Sequence, residues 1–238
     1  MQHKKYRKQH SLFIVEGIKS VMEFIHSSYT VNSLYATADA LTKMGNLSQK
    51  IKYTEVTAAE IQKISCLNSP QGVLALVEIP QEESFPWNTI RQQHSLVLDD
   101  VQDPGNLGTI IRTAEWFGIE HIICSVGTVD AYNPKVVQAT MGSLSRIQIH
   151  YTDLSTFIEK VNLPTYGALL SGSSIYETSF GQAGLIVMGN EGNGIGTEIL
   201  PKIQHPVTIP RIGQAESLNV AVATTVFCSE LARQKLIK

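Results

Sequence analysis

Five polar residues stand where a packed α/β core has no use for them: Asn106, Arg112, Glu191, Ser217 and Asn219. They fall in three short segments, Asp103-Pro-Gly-Asn-Leu-Gly-Thr-Ile-Ile-Arg112, Met188-Gly-Asn-Glu-Gly-Asn-Gly194 and Ile209-Pro-Arg-Ile-Gly-Gln-Ala-Glu-Ser-Leu-Asn219. Each follows an apolar run that reads as a buried strand, and each breaks the local rules of a fold, which is where function is usually kept. In the first, Asn106 opens a helix and Arg112 lies six residues on, with a side chain long enough to reach back to the same end. The second is glycine-rich backbone that can approach a ligand closely, with Asn190 and Glu191 at a strand end. Its glycines fit neither the dinucleotide-binding spacing nor a phosphate loop, which needs Gly-Lys-Ser/Thr. In the third, Ser217 and Asn219 sit at the start of a long apolar helix, where free N–H groups and the dipole favour an anion or polar ligand. A plainer reading of the first segment makes Asn106 a cap and Arg112 a surface partner of Glu115. The three together suggest one composite site.

Such a site needs a frame that gathers three strand ends. Beyond residue 94 the pattern alternates, with strands near 95–99, 120–126, 147–151, 165–170, 184–189 and 205–210. Helices are predicted near 106–118, 134–142, 153–161, 197–203 and 218–235. This alternation implies a mostly parallel sheet covered on both faces, and ligands on such sheets bind beyond the carboxyl ends of the strands. The first 80 residues read as a small α/β domain. A helical pattern runs from Phe13 through Val15, Ile18, Val21, Met22 and Ile25, and strands are expected at 31–37, 51–56 and 72–79. Thr57-Ala-Ala-Glu60 is a capping box opening a helix through Ile64. Residues 81–93, interrupted by acids and a proline, read as a linker between this domain and one spanning 94–238.

At 238 residues, 43% of them apolar and 17% charged, the chain has ample material for a core. No apolar run approaches a membrane span, no signal-type segment follows the basic start, and a cytoplasmic protein is expected. Cys66, Cys124 and Cys228 are widely spaced and read as buried structural thiols; a disulfide or zinc framework needs other spacings. A net charge of −2 excludes bulk nucleic-acid binding. The charge is uneven, however: Lys4, Lys5, Arg7 and Lys8 precede the first acid, Glu16, and form a basic arm suited either to phosphate contacts or to simple solvation.

Asn106-Leu-Gly-Thr-Ile-Ile-Arg112, Gly189-Asn-Glu-Gly-Asn-Gly194 and Ile209-Pro with Ser217-Leu-Asn219 resemble, in order and spacing, the three motifs of SpoU-type RNA 2′-O-ribose methyltransferases of the SPOUT superfamily. Phe13-Ile-Val-Glu-Gly17 and Gln71-Gly-Val73 are similar to that family's ribosomal-protein-like RNA-binding domain. The resemblance implies a C-terminal parallel-sheet domain with a trefoil knot, S-adenosylmethionine as cofactor without a metal, and a homodimer whose active site is completed by the partner chain. It implies donor contacts at Leu169, Leu170, Gly189, Asn190, Ile209 and Leu218, and a catalytic set of Asn106, Arg112, Glu191, Ser217 and Asn219. Arg112 is the family's hydroxyl-activating residue, although a guanidinium stays protonated and suits phosphate binding better than proton abstraction. The implied substrate is structured RNA, ribosomal by analogy of layout; transfer RNA is the alternative substrate, and a non-catalytic SPOUT-like RNA-binding module the alternative function.

Overall fold

The computed structural model describes residues 1–47, 51–81 and 84–236. The chain forms two compact units, Met1–Glu83 with Asp130–Arg146, and Ser84–Val129 with Ile147–Lys238. The segment 130–146 thus packs with the N-terminal unit although it lies well beyond the linker in sequence.

The first unit begins with α1 (Lys4–His10), β1 (Leu12–Glu16), α2 (Ile18–Ile25), β2 (Val31–Ala36), α3 (Ala38–Met44), β3 (Tyr53–Glu55), α4 (Ala58–Ile64) and β4 (Val73–Glu78). Its sheet runs β1-β4-β2-β3, with β4 antiparallel to both neighbours and β2 parallel to β3. The expected helical start at Phe13 is corrected. Phe13-Ile14-Val15 is a buried aromatic and β-branched run that pairs with β4, and Gly17, at φ 89°, ends the strand before the helix begins at Ile18. The capping box is present: Thr57 N–H donates to Glu60 Oε2 at 2.8 Å while Glu60 N–H donates to Thr57 Oγ1 at 3.3 Å.

The basic arm is a short helix with one residue turned inward. Arg7 is buried and its Nη2 meets Asp130 Oδ2 at 2.6 Å, while Nη1 donates to the carbonyls of Met1 and Gln2. Arg7 therefore anchors α1 and is removed from the exposed basic set, because a desolvated guanidinium must stay paired. Lys4, Lys5 and Lys8 remain exposed. Cys66 is a second correction: it is exposed, whereas Cys124 and Cys228 are buried as expected. It caps the loop after α4, where desolvation of the sulfur and the nearby Glu16 carboxylate raise its thiol above the usual range.

The second unit carries α5 (Trp87–Ile90), β5 (His94–Leu98), α6 (Pro104–Trp116) and β6 (His121–Cys124). The chain then lends α7 (Pro134–Thr140) to the first unit, and returns with β7 (Gln148–Tyr151), α8 (Leu154–Val161), β8 (Thr165–Ser174), β9 (Gly184–Met188), β10 (His205–Thr208) and α9 (Val220–Leu236). All five neighbouring pairs in the sheet β10-β8-β9-β5-β6-β7 are parallel, as the alternating pattern predicts. The central strands β5 and β9 are buried along their length and pack through Val97, Leu185 and Val187 on Leu154, Phe157 and Ile158 of α8. The helix expected near 197–203 is only a single 3-10 turn, Leu200–Lys202. Pro201 has no N–H to donate and disfavours the α conformation at the residue before it.

Candidate active site

The carboxyl ends of β5 and β9 lie side by side, since Leu98 is in register with Met188. From Leu98 the chain passes through Asp99 and Asp100 to α6, whose N-cap is Asp103: its Oδ1 accepts from Asn106 N–H at 2.8 Å. That cap places Asn106 on the first turn of the helix with its own side chain unspent. From Met188 the chain enters the glycine loop. A Cβ on Gly189 would lie 2.1 Å from the carbonyl carbon of Gly194, so only glycine lets the loop fold back on itself here. Asn190 and Gly194 then exchange backbone hydrogen bonds, N–H to O, at 2.8 and 3.0 Å, which holds Glu191 at the exposed tip.

Three of the five expected catalytic residues meet. Asn106 Nδ2 donates to Glu191 Oε1 at 2.9 Å, and Asn219 Nδ2 donates to Asn106 Oδ1 at 3.0 Å. A carboxylate can only accept, so Glu191 dictates the orientation of the Asn106 amide, and that in turn sets which atom faces Asn219. Asn219 is also the cap of α9, its Oδ1 accepting from Ala221 N–H at 2.9 Å and Val222 N–H at 3.3 Å. Packing of α9 on α6, with the Thr113 and Thr225 hydroxyls 3.3 Å apart, brings the two helix starts together. Arg112 and Ser217 are exposed and are not tied to this network among the described residues. Residues 211–219 are exposed throughout.

The donor set expected from the sequence divides in two. Leu170 is 80% exposed and Leu218 49% exposed, beside a wholly exposed Ile212, and Ile209 is half-buried where β10 ends. Leu169, the neighbour of Leu170 along β8, instead turns to the core around Val187 and Phe157. Asn190 is committed to its own loop: Nδ2 donates to the Asp100 carbonyl at 2.7 Å, and Oδ1 accepts from Gly192 and Asn193 N–H at 2.8 and 3.1 Å. Its side chain shapes the loop and has little left for a ligand.

Two residues were missed. Asp99 Oδ2 accepts from Gly196 N–H at 2.7 Å, and Asp100, at φ 60°, offers the carbonyl that Asn190 holds. Together they clamp the glycine loop at both ends. The signal was present as two consecutive acids closing a fully buried strand, a place where unpaired carboxylates are costly.

An open, all-parallel sheet with a polar network across two helix starts at its carboxyl edge is the frame of a nucleotide- or nucleoside-handling α/β enzyme. Residues 93–229 match the SpoU rRNA methylase family and residues 1–75 the MRM3-like substrate binding domain. The chain belongs to the SpoU rRNA methylase family. A 23S rRNA guanosine 2′-O-methyltransferase of Bacillus subtilis, RlmP, is 30% identical over 232 residues, 96% of this chain and 91% of the relative. A solved TrmH-family protein from Porphyromonas gingivalis superposes with a TM-score of 0.87 at 37% identity, covering 98% of this chain and 94% of that one. An AdoMet-bound rRNA methyltransferase from Sinorhizobium meliloti superposes with a TM-score of 0.84 at 30% identity, covering 100% and 92%.

Proposed function

We propose that this protein methylates a ribose 2′-hydroxyl of ribosomal RNA, using S-adenosylmethionine as donor. The observation that carries the reading is the single hydrogen-bonded chain Glu191–Asn106–Asn219, which joins one residue from each of the three motifs. The relatives' named activities support it.

The strand-end surface suits the donor. An adenosyl group needs an apolar slot with open backbone groups, and here Leu170, Ile212 and Leu218 expose apolar surface around β8 and β10 while Gly189 presents backbone without a side chain. Gly189, Ile209, Leu170 and Leu218 would hold the donor, with Leu169 and Asn190 shaping the slot from behind. When bound, S-adenosylmethionine supplies an electrophilic methyl group on a sulfonium.

The remaining work falls to this chain. A ribose hydroxyl is a weak nucleophile that must lose its proton. A guanidinium is a poor proton acceptor, so the part of Arg112 is to grip a substrate phosphate through its planar fork and stabilise the charge that develops as the proton leaves. Asn106, Glu191 and Asn219 orient the ribose, with Ser217 beside them. Residues 1–80, with the exposed Lys4, Lys5 and Lys8, recognise the RNA; 81–93 link them to the methyltransferase domain, 94–238. We place the trefoil knot of this family in that second domain, and a second copy of the chain against the exposed 211–219 loop and Val222. We infer a cytoplasmic location for it.

Incubating the protein and methyl-labelled donor with ribosomal RNA from cells lacking this enzyme should place label on one ribose. Label on protein, or none, overturns the reading. Arg112→Ala should abolish transfer and Arg112→Lys should restore little of it; full activity in the lysine variant would show that charge alone suffices.

A further inference from the structure

The first unit contains a cavity of about 280 Å³ that the methyl-transfer site does not use. It lies where β1 ends, beside the loop after α4 and along α7. Its walls are mostly apolar, from Ile14, Leu67, Pro134 and Val137. Its polar groups are few: the Glu16 carboxylate, the Gln138 amide and the Cys66 thiol, with the exposed Lys135 among the lining residues. Glu16 is 6% exposed and rigidly held, since Oε1 accepts from Cys66 N–H at 2.8 Å and Oε2 accepts from the Ser65 hydroxyl. The Cys66 thiol is a third partner of this carboxylate, and with about four lone-pair sites in all the carboxylate retains acceptor capacity.

We propose that this cavity receives one unstacked nucleobase of the substrate RNA, and that Glu16 selects a base with donors on its Watson–Crick edge. The proposal rests on the RNA reading of the preceding section and adds to it a base-reading site in the first unit. Apolar walls suit the faces of a flat heterocycle, and sequence-specific RNA recognition works on splayed bases read at their edges. The size is at the lower end of ligand cavities, enough for a base and too small for a peptide segment. A carboxylate is an acceptor only, so uracil, with one ring donor, is a poor match. Guanine, whose N1–H and N2 amino group can meet two carboxylate oxygens together, is the best. Lys135 supplies a cation for the phosphate attached to that base. Ile14, Glu16, Cys66 and Leu67 of this lining fall within residues 1–75, the stretch that matches a substrate binding domain, and α7 supplies the rest.

Cys66 reports on occupancy, because it lines the cavity and is exposed while Cys124 and Cys228 are buried. The rate of N-ethylmaleimide labelling at Cys66 would be measured with GMP, UMP or a large-subunit ribosomal RNA transcript, and transcript binding read in the same sample by fluorescence anisotropy. GMP and the transcript should slow labelling, and UMP should slow it least. Glu16→Gln keeps an acceptor for Cys66 N–H but loses the paired oxygens, and should erase the preference for GMP over UMP. Ala139→Phe fills the cavity from α7 and should weaken transcript binding roughly tenfold, the scale of one base contact, with its unfolding midpoint checking that the fold is kept. Unchanged labelling by GMP and by a transcript that does bind overturns the base-reading site while leaving the RNA reading intact. A transcript that fails to bind overturns the RNA reading itself, and GMP protection of Cys66 then decides the cavity alone.

Discussion

The two units treat their polar residues in opposite ways. In the first, Arg7 is buried against Asp130 and Glu16 against Ser65 and Cys66, so these charged groups hold α1 and the loop after α4 in place. In the second, among the described residues, the side chains of Asn106, Glu191 and Asn219 are hydrogen-bonded to one another and to helix starts, with Glu191 and Asn219 exposed and Asn106 half-buried. Buried pairs are expensive to disturb because one partner cannot return to water. An exposed amide chain costs little to disturb in stability, yet keeps donors and acceptors aimed at whatever binds there. Architecture and chemistry should therefore separate under mutation.

The largest effect should follow from Asp130→Ala, which leaves the buried Arg7 with its carbonyl partners but no counter-charge. A loss of about 3–5 kcal/mol in denaturant unfolding is expected; a loss under about 1 kcal/mol would mean that the pair is not desolvated. Asn106→Ala should instead cost roughly hundredfold or more in methylation, the scale of one preorganised donor, with an unfolding midpoint near that of the parent. Comparable losses in both measurements would dissolve the contrast between the units. Asn190→Ala should sit between these two behaviours. It removes the loop's internal hydrogen bonds, each worth about 1 kcal/mol, and should weaken donor affinity measured calorimetrically while leaving RNA binding unchanged. Thr57→Ala, which opens the capping box at the start of α4, should cost about 1 kcal/mol of stability and no activity.

The mildest expected effect is a pH dependence at the sheet edge. His121 Nδ1 and His150 Nε2 are 3.2 Å apart in a buried setting, and desolvation, then the neighbouring His150, pushes the His121 imidazole below its usual range. A base depressed in the folded state is neutral in both states above the unfolded value of about 6.5. Below that value the unfolded chain takes up the proton first. Stability should therefore be complete above about pH 6.5 and fall as the pH drops toward the lower folded value. In His121→Phe this acid-side loss should shrink; an unaltered profile would place the titration elsewhere.

How much could be read from the chain beforehand differs along its length. The parallel sheet was legible because its strands are buried on both faces and appear as unbroken apolar runs, as in Leu96-Val97-Leu98 and Leu185-Ile186-Val187. The cap at Asn219 was legible in outline for the same local reason, whereas at α6 the sequence offered Asn106 as the cap and the structure gives that place to Asp103. Phe13-Ile14-Val15 misled, because a short apolar run satisfies both periodicities until a pairing partner is known. Arg7 misled more seriously. A lysine-rich stretch looks uniformly solvated, and only Asp130, 123 residues away, pulls one member inward.

The sequence by itself determined the three polar segments, their order and the strands they terminate, since hydrophobic periodicity and helix capping act over a few residues. Tertiary structure alone decided which polar residues touch. It joined Asn106 to Glu191 and Asn219, turned Leu169 inward and Leu170 outward, committed Asn190 to its loop, and carried 130–146 into the first unit. Those outcomes depend on which distant groups compete for each hydrogen bond and for each patch of buried surface, and a desolvated polar atom takes whatever partner the packing brings within 3 Å or so.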